Sequence, residues 1–256
     1  MILSMRNLYM LFFVLILPVV GLANGPANGI FNEANKAYAK AQYDVAIKGY
    51  QQLVDSGYQS TAVYYNLGNA NYKEGNIADA ILNYEKALKL DPGNEDIAVN
   101  LQFANQKITD KIEAVPEFFL KKWWIGVVMS LTSDAWASIG TTLLLAGFAL
   151  LIVYLLSTVE KAKRLSFYTG LTFILISVGV LGLANAQKSY FNDRKEAVVF
   201  KGLVNVKSAP DDKQKTLFVI HEGTKVKVME NADKWLKVSL PNGSIGWIGS
   251  DTVELI

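Results

Sequence analysis

The feature that most constrains this chain is an internal offset. Shifted against itself by 34 residues, the sequence places Ala34 on Gly68, Tyr38 on Tyr72, Ala46 on Ala80, Ile47 on Ile81 and Tyr50 on Tyr84. A period of this length belongs to helix-turn-helix arrays, in which each unit buries its apolar face only by stacking on the next. Each unit holds two amphipathic stretches. In the second unit they run from Ala62 to Glu74 and from Ile77 to Leu90, parted by Gly75-Asn76. Asp91-Pro92-Gly93-Asn94 then stops the second helix, as proline and glycine do just past a helix end.

Small residues recur where two helices of one unit would touch. Gly68, Ala80 and Ala87 stand there, and Tyr64, Leu67, Tyr72 and Tyr84 fill the remaining volume. On these positions, together with Pro92, the stretch closely resembles the tetratricopeptide repeat. The resemblance implies a domain over 27–112, with repeats at about 27–60 and 61–94 and a capping helix at 95–112. The first unit departs from the pattern by carrying Glu33-Ala34 for the leading Leu-Gly pair and no closing proline. Asn71 departs too, standing where the family usually has an aromatic.

Asparagines recur with the same spacing. Asn32, Asn66 and Asn100 form one row and Asn35 and Asn69 a second. In the family fold the first helices of successive repeats line a groove, and the resemblance places these five residues and Tyr65 on it. Asparagine is a weak helix former. Its amide offers a donor and an acceptor, which suits the backbone of an extended peptide. A peptide-binding groove is expected. The competing reading is a solvated polar face, or internal caps of the array. On either account, alanine at Asn66 or Asn69 should cost the fold nothing. Some proteins of this family grip a partner's terminal carboxylate with asparagines and cations. Asn35 and Asn66 match those asparagine positions, but Asp96 and Asn100 replace the cations. The expected ligand is an internal, extended segment.

The first residues carry Arg6, an apolar run from Leu8 to about Val20 and small residues at Gly21 and Ala23. That is the pattern of a secretory signal peptide over 1–23, with a retained anchor as the alternative. Two further runs, 136–156 and 165–186, are uncharged and about as long as the 20 residues that cross a bilayer. The loop between them, 157–164, holds Lys161, Lys163 and Arg164 and belongs in the cytoplasm by the positive-inside rule. A hairpin returns the chain to its starting side. Both flanking parts are expected in the periplasm, outside the inner membrane. The segment 116–134 has an apolar run too short to cross. Its Phe118, Phe119, Trp123 and Trp124 beside Lys121 and Lys122 suit a helix lying among lipid headgroups.

From about Ala197 to Ile256 the composition changes to short β-branched runs broken by turn signals. Asn242-Gly243 marks a hairpin, because both residues tolerate positive φ. The stretches "NVKSAP", "EGTKVKV", "WLKV" and "NGSIGWI" resemble the bacterial SH3 family, whose members often bind cell-wall peptides or proteins. Trp235 and Trp247 are then candidates for a ligand shelf, although tryptophans in so small a barrel are more often core. His221, the only histidine, is expected to be an ordinary strand-end residue. It cannot build a metal site alone.

The expected fold is a multidomain membrane protein: α-helical hairpins with a capping helix, a two-helix transmembrane hairpin, and a small all-β SH3-like barrel. That order of modules closely resembles the BatE family, the tetratricopeptide proteins of Bacteroides aerotolerance (Bat) operons. The resemblance implies a stress or aerotolerance role. It also implies membrane-anchored von Willebrand factor A proteins as partners, with a MoxR-type AAA+ ATPase acting from the cytoplasmic side. The residues themselves offer no nucleophile with a partnered base, no phosphate loop and no paired carboxylates. No enzyme, cofactor or metal is expected. The absence of cysteine excludes thiol chemistry and lipoprotein-type acylation,. A net charge of +2 argues against nucleic acid,. Two function classes remain. One is an adaptor that holds partner proteins at the membrane. The other is a wall-linked module whose barrel binds peptidoglycan peptides.

Overall fold

A computed structural model describes residues 26–192 and 194–256, so the expected signal peptide at 1–23 lies outside the described residues. The described residues begin with two helical hairpins and one further helix: α1 (Pro26–Ala39), α2 (Tyr43–Asp55), α3 (Thr61–Glu74), α4 (Ile77–Leu90) and α5 (Glu95–Asn105). Gly75 ends α3 at φ +96°, a left-handed conformation that favours glycine,. Close approach within each hairpin rests on one small residue, supplied differently in the two units. In the second unit a Cβ on Gly68 would lie 2.7 Å from the Tyr84 ring. In the first unit Ala34 stands at that position, and the space comes from Gly49, whose Cβ would lie 2.9 Å from that of Ala34. Buried Asn71 takes the family's aromatic position by donating to the Leu67 carbonyl at 3.0 Å and accepting from the Asn76 amide at 3.3 Å.

The capping helix is shorter than expected. It opens on Asn94, whose side chain accepts from the Ile97 N–H, and stops at Asn105 instead of 112. Lys111 folds back to donate to the Asn105 and Gln106 carbonyls, at 3.1 and 2.9 Å. The segment 106–118 turns and bends over 106–109 and then runs as an irregular strap to α6 (Phe119–Val128). The helix within the segment 116–134, expected to lie among lipid headgroups, is ten residues long.

α7 (Ser133–Leu156) and α8 (Glu160–Asn192) are each long and apolar enough to cross a membrane. Both exceed the spans read from the sequence. The loop shrinks to 157–159, and Lys161, Lys163 and Arg164 fall in the first turns of α8. Nothing there breaks a helix, and leaving the apolar layer does not require one to end. The two helices touch along small residues. A Cβ on Gly147 would lie 2.9 Å from the Gly170 carbonyl oxygen, and the Ser177 hydroxyl donates to the Gly140 carbonyl at 2.8 Å.

Seven antiparallel strands follow: β1 (Glu196–Val199), β2 (Leu203–Lys207), β3 (Thr216–His221), β4 (Lys225–Ala232), β5 (Trp235–Ser239), β6 (Ile245–Gly249) and β7 (Val253–Leu255), in the order β3-β2-β6-β5-β4-β1-β7. Alternate residues Val204, Val206, Ile220, Val226, Leu236, Val238 and Ile248 form the core. The Asn242-Gly243 turn differs from the expected one, because only Gly243 has positive φ. Pro241 occupies the first corner, the Gly243 N–H donates to the Leu240 carbonyl at 2.9 Å, and the loop is a three-residue type I turn with a bulge,.

Repeats and barrel pack on each other. Val198 of β1 is fully buried in the cluster that contains Ile81, Tyr84 and Ile97, with Ile108 and Ile256 at its border. The turn after α4 rests on the α6–α7 connection, where a Cβ on Gly93 would lie 2.9 Å from the Ser130 carbonyl oxygen.

Candidate functional site

The first helices of the three successive hairpin positions, α1, α3 and α5, lie side by side and are joined by side chains. Asn35 Oδ1 accepts from the Tyr50 hydroxyl at 2.6 Å and from the Asn66 amide at 3.1 Å. One unit later, Asn69 Oδ1 accepts from the Tyr84 hydroxyl at 2.8 Å and from the Asn100 amide at 2.9 Å. Asn100 also donates to the Tyr65 hydroxyl oxygen at 3.0 Å. The network repeats with the period of the sequence. Each of its units ties the buried tyrosine of a second helix to asparagines of two neighbouring first helices. Burial pushes the Tyr50 phenol up to about 12 and Tyr84 higher still, so both remain donors.

The structure brings Asn35, Asn66, Asn69, Asn100 and Tyr65 together on one face, as expected, and gives them structural work there. The acceptors of Asn35 and Asn69 are both used within the array, and so are both amide protons of Asn100. The amide groups of Asn35 and Asn69 are the donors this network leaves over. Asn32 is exposed and lies outside it. The apolar members of the same rows were not singled out from the sequence. Val99 and Phe103 stand one unit after Tyr65 and Asn69, and they are 48% and 51% exposed on the last helix of the array. The missed signal is the 34-residue spacing itself, carried one unit further than the asparagines.

On the barrel, Trp235 and Trp247 are not core. They sit on β5 and β6 between the buried positions Leu236, Val238 and Ile248, so strand alternation turns them to the outer face, where both are half-buried. Lys237 pairs with Trp247 across the strands, and its ammonium lies 5.8 Å from the ring centroid. Trp235 lines a shallow cleft of about 720 Å³ with Lys207, Lys234, Asn205 and Asp212.

Two charged clusters at the junction went unseen in the sequence, because each joins the repeats or the segment after them to barrel residues over a hundred positions away. Lys225 reaches Glu85 of α4 at 2.9 Å and Glu196 of β1 at 2.8 Å. Burial opposes the lysine charge, but the two carboxylates outweigh it and raise its pKa, while burial pushes Glu85 up. The second cluster clamps the strap. Asp110 accepts from the His221 N–H at 2.7 Å and the Thr224 hydroxyl at 2.7 Å, with His221 Nδ1 2.8 Å away. Burial favours the neutral Asp110 carboxyl, yet these hydrogen bonds prevail and hold it below the usual carboxylate range. His221 is therefore a clamp residue and not an idle strand end. Among the described residues, no group of three or more His, Asp or Glu side chains is placed to hold a metal ion.

Residues 61–94 match the tetratricopeptide repeat family, and residues 201–254 match the bacterial SH3 domain family. Domains of both families are typically non-catalytic interaction modules. Among curated proteins, no relative matches.

Proposed function

We propose that this chain is a membrane-anchored periplasmic adaptor, in which the face formed by α1, α3 and α5 holds a segment of a partner protein. The carrying observation is that face: a repeat-spaced polar ladder beside Tyr65, ending in half-exposed Val99 and Phe103 on a helix with no further repeat behind it. The leftover amide donors of Asn35 and Asn69 suit backbone carbonyls of an extended segment, and the apolar end suits one or two large side chains. The bacterial SH3 match fits a location outside the cytoplasm, and the two apolar helices supply the anchor. With the order of modules, this supports a Bat-type complex of the BatE kind. Its partners are membrane-anchored von Willebrand factor A proteins, working with a MoxR-type ATPase in a stress role.

A photo-crosslinking amino acid at Phe103 in intact cells tests the reading, with Lys48, exposed on a second helix, as control. A von Willebrand factor A protein joined at position 103 and not at 48 supports it. Equal adducts at both positions, or none at 103, overturn it. The outward tryptophans favour a second reading, in which the barrel binds peptidoglycan peptides. Sedimentation of the protein with purified cell wall, lost on Trp235→Ala, would support that alternative.

A further inference from the structure

We infer that the exposed face of α6 is a bilayer-binding surface that seats in the headgroup layer on the side of the repeats. Phe118, at the N-cap, and Phe119 and Trp123 are 66%, 68% and 64% exposed, and Leu120 and Trp124 are about half exposed. These aromatics leave on the order of 400 Å² of apolar surface uncovered on a ten-residue helix,. A patch of that size so near two spans has one natural occupant.

Continuity with the apolar hairpin identifies it. Only 129–132 separate α6 from α7. The buried Gln187 amide of α8 donates to the Val128 carbonyl at 2.9 Å and the Leu131 carbonyl at 2.7 Å, and Trp136 Nε1 donates to Val128 at 3.2 Å. These bonds hold the C-terminal end of α6 against the ends of both long helices, at the level where they leave the apolar layer. Only Val128 of the helix is fully buried by those neighbours; the aromatic face remains outside. Its chemistry also fits. Tryptophan and phenylalanine beside Lys121 and Lys122 combine an apolar wedge with charges that match anionic headgroups. Glu117 pairs with Lys121 at 2.6 Å, which leaves Lys122 as the cation of this pair not engaged with it.

The seating would also set the height of the groove. Gly93 rests on the Ser130 backbone, and α5 starts two residues later. At 1.5 Å of rise per residue, Val99 and Phe103 lie within roughly 10–15 Å of that contact. The apolar end of the partner-binding face would thus open directly above the headgroups.

The test exploits the absence of cysteine. Phe119→Cys and Trp123→Cys, made separately in the full chain, carry a nitroxide label after reconstitution into vesicles of phosphatidylethanolamine and phosphatidylglycerol. Collision with oxygen relative to a water-soluble nickel complex should be several-fold higher at both sites than at Lys48→Cys. Ratios equal to that of the Lys48 site would overturn the inference. So would labels that become shielded only when a protein is added. Either result leaves the groove reading standing, since that one depends on crosslinks at Phe103.

Discussion

At Gly68 a β-carbon would lie 2.7 Å from two atoms of the Tyr84 ring, and the ring is held in place through its hydroxyl by Asn69. Even Gly68→Ala should therefore force α3 and α4 apart, at a cost of about 1–3 kcal/mol by the usual scale of overpacking. Lowered thermal stability of the full chain in detergent checks this, and unchanged melting would refute the contact. The asparagines carry a second prediction, opposite in sign to the one their helix propensity gives. Asn69→Ala gains a few tenths of a kcal/mol in propensity. It also strands the hydroxyl of Tyr84, which is 1% exposed, and a buried unpaired donor costs about 1–3 kcal/mol,. The loss wins, so Asn69→Ala should destabilise. Adding Tyr84→Phe should recover part of that loss, because the stranded group is then gone. Hydrogen exchange in α3 and α5 reads both variants. Additive effects of the two substitutions would mean that the bond contributes nothing.

Elements were legible in the sequence wherever a local rule decides them. The α3–α4 hairpin follows from spacing, a glycine cap and Asp91-Pro92, and the strands follow from alternation. The strap 106–118 was not legible, because its conformation is set by what it meets. Ile108 reaches Gly223, Asp110 binds His221 and Thr224, and the Val115 N–H donates to the Pro241 carbonyl at 3.1 Å. A helix continued to 112 would forfeit all of these. The candidate site divides in the same way. The asparagine rows were visible as a pattern, but their hydrogen bonds to tyrosines fifteen residues on depend on helix packing, which no local rule reports. Acid should release the strap. The folded pKa of Asp110 is depressed below the unfolded value of about 3.9,. Its stabilisation is therefore complete above that value and is lost as pH falls through the folded one. Proteolytic cleavage within 106–118 should rise on acidification in the wild type. In Asp110→Asn it should be high already near neutrality and change little with pH. A wild-type strap whose cleavage ignores pH in that range would show that the clamp does not hold it.

The whole molecule is more unified than a string of modules. Repeats and barrel share the buried Val198, so the two pack against each other as well as following one another in the chain. The sharpest test of this unity is Lys225. It stands between Glu85 of α4 and Glu196 of β1, and the Glu85 side chain is only 13% exposed. In Lys225→Met the two carboxylates would face each other without a cation. Removing one member of a buried pair costs about 3–5 kcal/mol. The Lys225 side chain is 34% exposed, so solvent screening brings the expected figure to roughly 1–3 kcal/mol,. The loss should appear as uncoupling. In the wild type, amides of α4 and β1 should open to hydrogen exchange at one common denaturant concentration. In the variant, β1 and β4 should open first at neutral pH. Acid should then rescue the variant. Burial already raises the Glu85 pKa, and loss of its cation raises it further. A carboxyl with a raised folded pKa favours the folded state when protonated and disfavours it as pH climbs through that value. Coupling in Lys225→Met should therefore improve on mild acidification, before Asp110 begins to protonate and the strap lets go. Adding Glu85→Gln should give the same rescue without acid, since it removes the unpaired charge directly. If α4 and β1 of Lys225→Met still open together at neutral pH, the apolar contact around Val198 couples the two parts alone and the ion triad is incidental to it.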